Sequence, residues 1–194
     1  MFDLGPAARE LSRLVRGVRD DQLDAPTPCP DYALGDLLEH VHGLALAFRM
    51  AAAKQIPKGA TPNPPGDARR LPDDWRDAIE ERLDALVTAW AADDAWQGTT
   101  HIAGFEAPAA AVASTAVNEL VVHGWDVARA SGQTLTLHED SVGPCLSFAE
   151  VLSGPAGEVM RGSAFGPAVS VPSDASPLER ILGANGRDPG WAPR

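Results

Sequence analysis

The strongest constraint on this chain is the alanine-rich stretch that opens at Pro108 and closes at Gly132. Proline at the first turn and glycine just past the last turn are the usual punctuation of a helix, and alanine is the best helix former. At about 100° per residue, with Val112 set at zero, Ala116, Val127 and Leu120 fall at about 40°, 60° and 80° and define the face that should meet a core. Glu119, His123 and Asp126 fall at about −20°, 20° and −40°, on that same face. An isolated carboxylate buried there costs several kcal/mol unless it is paired, protonated or bound to a cation. The face therefore requires partners for three ionisable groups.

Glu119 and His123 are one helical turn apart, so their side chains point the same way. A carboxylate oxygen and an imidazole nitrogen together suit Zn²⁺, Fe²⁺ or Ni²⁺. The same spacing also fits a simple Glu–His hydrogen bond inside a bundle, and spacing leaves both readings open. A second helix, from about Leu34 to Lys54, carries the stripe Leu37, Val41, Leu44 and Phe48. His40 falls on the shoulder of that stripe at about −60°, while His42 falls on the far side at about 140°. His40 is thus the preferred third ligand and His42 a surface residue. His101 and His138 read as solvated, with His101 a reserve candidate for the site. Asp126 is a candidate acceptor for the far nitrogen of a ligand histidine, with Arg129 nearby to balance its charge. Trp90 and Trp125 read as core or interface aromatics, and Cys29 as a small packed residue.

Elsewhere the pattern is also helical. Leu4, Leu11, Leu14, Val15 and Val18 mark a first amphipathic helix, and Trp75, Ile79, Leu83, Leu86 and Trp90 mark a third, over about 73–92. Residues 25–31 and 55–72 are proline-rich loops. Residues 93–106 show no clear period and read as irregular or weakly extended. After Gly132 a fifth helix is expected near 139–152, an extended run at 163–172, and a short helix opened by the capping box Ser176-Pro177-Leu178-Glu179. The expectation is an all-α protein: a four-helix bundle over 1–132 and a short, partly irregular extension over 133–194 packed on it.

Sixteen basic against 27 acidic residues give a formal charge of −11. With no basic cluster longer than Arg69-Arg70, nucleic acid and anionic membrane are excluded as general partners. No run of about 18 apolar residues is present to span a bilayer, and early charges at Asp3, Arg9 and Glu10 interrupt any signal-peptide core. Two cysteines are too few for a disulfide framework, and a cytoplasmic location is expected. A homodimer is compatible with the scattered tryptophans.

Thr27-Pro28-Cys29-Pro30-Asp31-Tyr32, then Asp36-Leu37-Leu38-Glu39-His40-Val41-His42-Gly43, resembles the opening motif of an actinobacterial metal-binding family of the DinB-like helical-bundle superfamily, related to the N-terminal domain of mycothiol-dependent maleylpyruvate isomerase. Glu119 to Ala128 resembles its second motif, and Phe165-Gly166-Pro167-Ala168-Val169 with Gly186-Arg187-Asp188-Pro189 resembles its ending. The resemblance implies a DinB-like bundle with His40, Glu119 and His123 as metal ligands, and mycothiol as co-substrate. Tyr32 stands where the family has tryptophan. The stretch after Gly132 is short for the isomerase's further C-terminal domain.

Two functions follow as expectations. The first is a metal-dependent enzyme, of S-transferase or isomerase type, that binds a small thiol and an electrophile. Zinc is the first expectation for the ion, nickel or iron the next. Three protein ligands would leave a coordination position open. The alternative is a bundle in which the ion is structural, its shell closed by a fourth ligand such as Asp126 or His101.

Overall fold

A computed structural model describes the chain except residues 59–63, 156, 158–160, 162–164 and 194. Helix α1 (Gly5–Arg16) admits Pro6 in its first turn and buries Ala7, Ala8, Leu11, Leu14 and Val15. Its opposite face carries Arg13 and Arg16, and Arg16 reaches α3, where it pairs with Glu80 and, at 2.8 Å, with Asp77. Helix α2 (Leu34–Ala52) follows the proline-rich loop, and Asp36 in its first turn accepts from the Ala33 N–H at 3.2 Å. Helix α3 (Trp75–Trp90) turns Trp75, Ile79, Leu83, Leu86 and Trp90 inward.

The stretch read as irregular or weakly extended contains a short antiparallel hairpin. Strand β1 (Thr99–Ile102) pairs with β2 (Phe105–Pro108), in the register Thr99 to Pro108 and Ile102 to Phe105. Its two-residue turn, Ala103-Gly104, has positive φ at both positions, 49° and 85°, as a tight hairpin requires. Four-residue strands leave too little sequence for a period to show. The Thr100 hydroxyl donates to the Ala51 carbonyl at 2.6 Å and fixes the hairpin to the end of α2.

Pro108 is the N-cap of α4 (Ala109–Ser131), and Gly132 ends it at φ 75°. Helices α1 and α2 each pack against both α3 and α4. That four-helix core encloses Leu14, Leu37, Leu83, Ile79 and Val117, all at most 1% exposed; each large side chain among them contributes about 1.5–3 kcal/mol of hydrophobic stabilisation. Helix α5 (Glu139–Ser153) lies on α4, and α6 (Pro177–Ala184) lies on α5. Ser176 and Glu179 form the reciprocal cap of α6.

The segment expected to be extended falls partly on residues 162–164, outside those described. Gly166–Pro172 carries no regular structure, although the Val169 N–H donates to the Gly183 carbonyl at 2.9 Å. A buried amide pair joins α4 to the end of α6, with Asn118 and Asn185 donating to each other at 2.8 and 3.0 Å. Gly186 follows at φ 77°, where a Cβ would press on the Pro167 carbonyl at 3.0 Å. That left-handed turn sends Arg187 back into the bundle. Among the described residues, no helix is long and apolar enough to cross a membrane.

Candidate metal centre

His40 comes from the middle of α2, and Glu119 and His123 from successive turns of α4. One ligand atom from each of the three lies within 4.8 Å of the other two. His123 Nε2 is 3.0 Å from Glu119 Oε2, and the two side chains are 7% and 15% exposed. The His40 ring stands edge-on to the His123 ring with centroids 5.1 Å apart. Two nitrogens and a carboxylate oxygen converging at this distance fit a divalent ion of the zinc, iron or nickel type.

Asp126, completely buried, meets the other side of His123, its Oδ2 lying 3.1 Å from Nδ1. A proton on Nδ1 donated to Asp126 leaves Nε2 facing Glu119 and His40. Arg187 neutralises Asp126. Its Nη2 donates to Oδ2 at 2.8 Å and its Nε to Oδ1 at 3.2 Å, while Nη1 donates to the Asn185 carbonyl at 3.1 Å. The expected counter-charge, Arg129, lies elsewhere: it donates to the Trp191 carbonyl, with Nε at 3.0 Å. A local search along α4 finds Arg129 three residues from Asp126. Arg187 is 61 residues away, within the family-like ending Gly186-Arg187-Asp188-Pro189, and a buried carboxylate demands such a cation.

The electrostatics follow from this geometry. Burial opposes a charge on His123, but its hydrogen bonds to Asp126 and Glu119 outweigh that and lift its pKa to about 9. Burial would raise Glu119 and Asp126; the His123 hydrogen bonds, with Arg187, hold both below the ordinary carboxylate range. His40 is pushed down to about 4, first by burial and then by the charge on His123. Two carboxylates and two cations therefore balance beside a neutral His40.

Two proline-rich segments cover the α2 side. The buried Thr27 hydroxyl donates within its own loop, to the carbonyls of Cys29 at 2.9 Å and Tyr32 at 2.8 Å. The Tyr32 ring then lies 5.2 Å from that of His40. Its hydroxyl accepts from the Gly66 N–H at 3.2 Å. Asp67 and Ala68 donate their N–H groups to Glu39 and Asp36, at 3.1 and 2.9 Å. Cys29 is partly buried beside Arg187 and Asp126, and burial raises its thiol pKa.

The remaining candidates stand apart. His42 is half-buried rather than on the surface, because α3 covers it, and the Arg82 guanidinium donates to its carbonyl at 2.9 Å. His101 lies on the hairpin, its Nε2 3.8 Å from Glu106. His138 is half exposed and caps α5. Trp90 and Trp125 are buried.

Residues 4–128 match the family described as the mycothiol maleylpyruvate isomerase N-terminal domain. The chain belongs to this family. Two uncharacterized proteins, from two strains of Mycobacterium tuberculosis, are each 27% identical to it over 177 residues, 91% of this chain and 91% of theirs. The mycothiol-dependent maleylpyruvate isomerase itself shares the fold, with a TM-score of 0.67 at 17% identity, covering 96% of this chain and 88% of that one. A histidine-to-alanine mutant of that enzyme gives 0.68, covering 95% and 87%. The DinB-like bundle expected from the sequence is thus the fold of a member of the maleylpyruvate isomerase N-terminal family, and the likeness extends past α4 into the C-terminal segment.

Proposed function

We propose that the protein is a metal-dependent enzyme that joins a small thiol, mycothiol, to an electrophile, as an S-transferase or an isomerase. The observation that carries this reading is the convergence of His40, Glu119 and His123 within 4.8 Å, supported by family membership. These three residues would hold the ion, zinc in the first place and nickel or iron in the next. A bound ion supplies stabilisation of a thiolate at neutral pH.

The chain's own residues do the rest. Asp126 fixes which nitrogen of His123 faces the site, and Arg187 keeps Asp126 ionised. Tyr32 and the segment 64–70 limit the access of water to His40. In the chemical step the thiol gives up its proton to solvent and an S–C bond forms at the electrophilic carbon. The displaced electron pair departs with a leaving group in a transfer. In an isomerisation it moves onto a conjugated carbonyl, then returns as the thiolate is expelled. The proposed setting is the cytoplasm, with small molecules rather than nucleic acid or membrane as partners.

The structural-ion reading requires a fourth protein ligand. Asp126 is turned to His123 and Arg187, and His101 to Glu106; among the described residues the cluster contains three donors. An open position supports catalysis over a closed shell.

The test is metal content of untagged protein beside a His123→Ala variant, followed by thiol consumption across a panel of electrophiles. About one ion per chain, lost in the variant, and thiol loss that needs the ion would support the proposal. Protein that stays metal-free after incubation with zinc, nickel and iron would refute it.

A further inference from the structure

Two buried amides join the C-terminal segment to the helix that carries Glu119 and His123. Asn118 and Asn185 are 0% and 1% exposed, and a buried amide is costly unless its polar atoms are engaged. Here each side chain donates to the other, at 2.8 and 3.0 Å, and Asn185 Nδ2 also donates to the Ile181 carbonyl at 2.8 Å. A closed pair of this kind has a direction that an apolar contact lacks, so it fixes where the last turn of α6 sits along α4. Asn118 immediately precedes Glu119.

From Asn185 the restraint passes to Arg187. The Asn185 carbonyl accepts from Arg187 Nη1 at 3.1 Å, and the Arg187 N–H donates to the Leu182 carbonyl at 2.9 Å. Asn185 thus holds Asn118 with its side chain and the guanidinium with its carbonyl. That guanidinium brings Nη2 to Asp126 Oδ2 at 2.8 Å, and the same oxygen lies 3.1 Å from His123 Nδ1. A guanidinium presents its donors in a rigid planar fork, so a shift in its seat breaks the two-point contact with a carboxylate. Asn118, Glu119, His123 and Asp126 fall within residues 4–128, which match the family; Asn185 and Arg187 lie outside them. The matched span therefore contains the candidate ligands but not the cation that pairs with Asp126.

We infer that Asn118 is a positioning residue for His123: it captures Asn185, Asn185 seats Arg187 on Asp126, and Asp126 orients the His123 ring. The consequence for a bound ion rests on the function proposed above; the orientation of the ring does not.

The test uses the full chain, isotope-labelled in histidine and arginine and freed of metal. NMR follows proton exchange at Arg187 Nε and His123 Nδ1, and chelator competition then measures zinc affinity on the same preparation. In Asn118→Ala both protons should exchange about tenfold faster, and zinc affinity should fall about tenfold, the low end of the usual loss when a residue behind a ligand is disturbed. Ile79→Val, a core substitution on α3, should lower the urea midpoint and leave all three quantities unchanged. If Asn118→Ala fails to fold, Asn118→Leu, which keeps the volume and removes the amide, decides. Unchanged exchange at both protons, equal acceleration in Ile79→Val, or unchanged affinity in a protein that does bind zinc overturns the inference. Protein that takes up no metal, yet releases both protons in Asn118→Ala, would keep the relay and sink the proposed reaction. Metal-dependent thiol turnover, with both protons undisturbed in Asn118→Ala, would do the reverse.

Discussion

Arg187 grips Asp126 across 61 residues of sequence, with Nη2 2.8 Å from Oδ2, in a pair 8% and 0% exposed. Removing one partner leaves the other as an uncompensated buried charge, which costs about 3–5 kcal/mol. Arg187→Met should therefore destabilise by that amount, and Asp126→Leu similarly. The double variant should cost well below the sum, since it leaves neither charge alone. Urea unfolding of the four proteins measures this, and effects that add to within about 0.5 kcal/mol would disprove the coupling.

Asp126→Asn should act on the metal as well. It keeps the shape but weakens the acceptor at His123 Nδ1, and loss of such a partner typically lowers metal affinity about 10–100-fold. Competition with a chromophoric chelator is the measurement; unchanged affinity would show that Asp126 does not orient the ligand.

Metal uptake should depend on pH in a defined direction. Without the ion, His123 carries its second proton up to a pKa of about 9, and that proton must leave before Nε2 can bind a metal. His40, at about 4, is already neutral. Between about pH 6 and pH 9 affinity should rise roughly tenfold per pH unit, with one proton released per ion, and then level off. Calorimetry in buffers of different ionisation enthalpy counts the protons.

Chelation should remove the ion without unfolding the bundle. Glu119, His123, Asp126 and Arg187 satisfy one another without it, unlike zinc-finger sites that are unfolded when empty. The expected change is a lower Tm with retained helical circular dichroism, because a ligand stabilises only by its mass action. Loss of helical signal at 25 °C on chelation is the contrary result.

Gly66 has its own test. A Cβ there would lie 2.2 Å from the Asp36 carbonyl oxygen and 3.1 Å from His40 Cβ. Gly66→Ala should push the segment 64–70 away from α2 at a cost of about 1–3 kcal/mol, breaking the contact to Tyr32. Faster amide exchange at Gly66, Asp67 and Ala68 with unchanged exchange in α4 would show it. Uniform acceleration through α4 would argue against a local role.

The long helices were legible because each carries a wide apolar stripe; α2 begins at Leu34 as read and ends at Ala52, two residues early. The wheel also brought out His40, Glu119 and His123, because ionisable groups on an apolar face break the pattern that defines it. It could not show how closely α2 and α4 approach, which side-chain packing decides. The hairpin escaped notice because its turn depends on Ala103 adopting a positive φ of 49° that its residue type does not advertise. Arg187 stands in the family-like ending Gly186-Arg187-Asp188-Pro189, but its pairing with Asp126 is not legible there, because helical spacing relates only near neighbours and points to Arg129. The fit of Asp126 to a distant guanidinium is a tertiary fact.

The turn at Gly186 has a consequence during synthesis. His123 is made about 64 residues before Arg187, which at roughly 5–20 residues per second is several seconds of translation. Through that interval the nascent bundle carries Asp126 without its guanidinium. An ion arriving early would meet a histidine whose orienting carboxylate is itself uncompensated. The order of the chain thus places completion of the site after the helices that supply the candidate ligands have all been made.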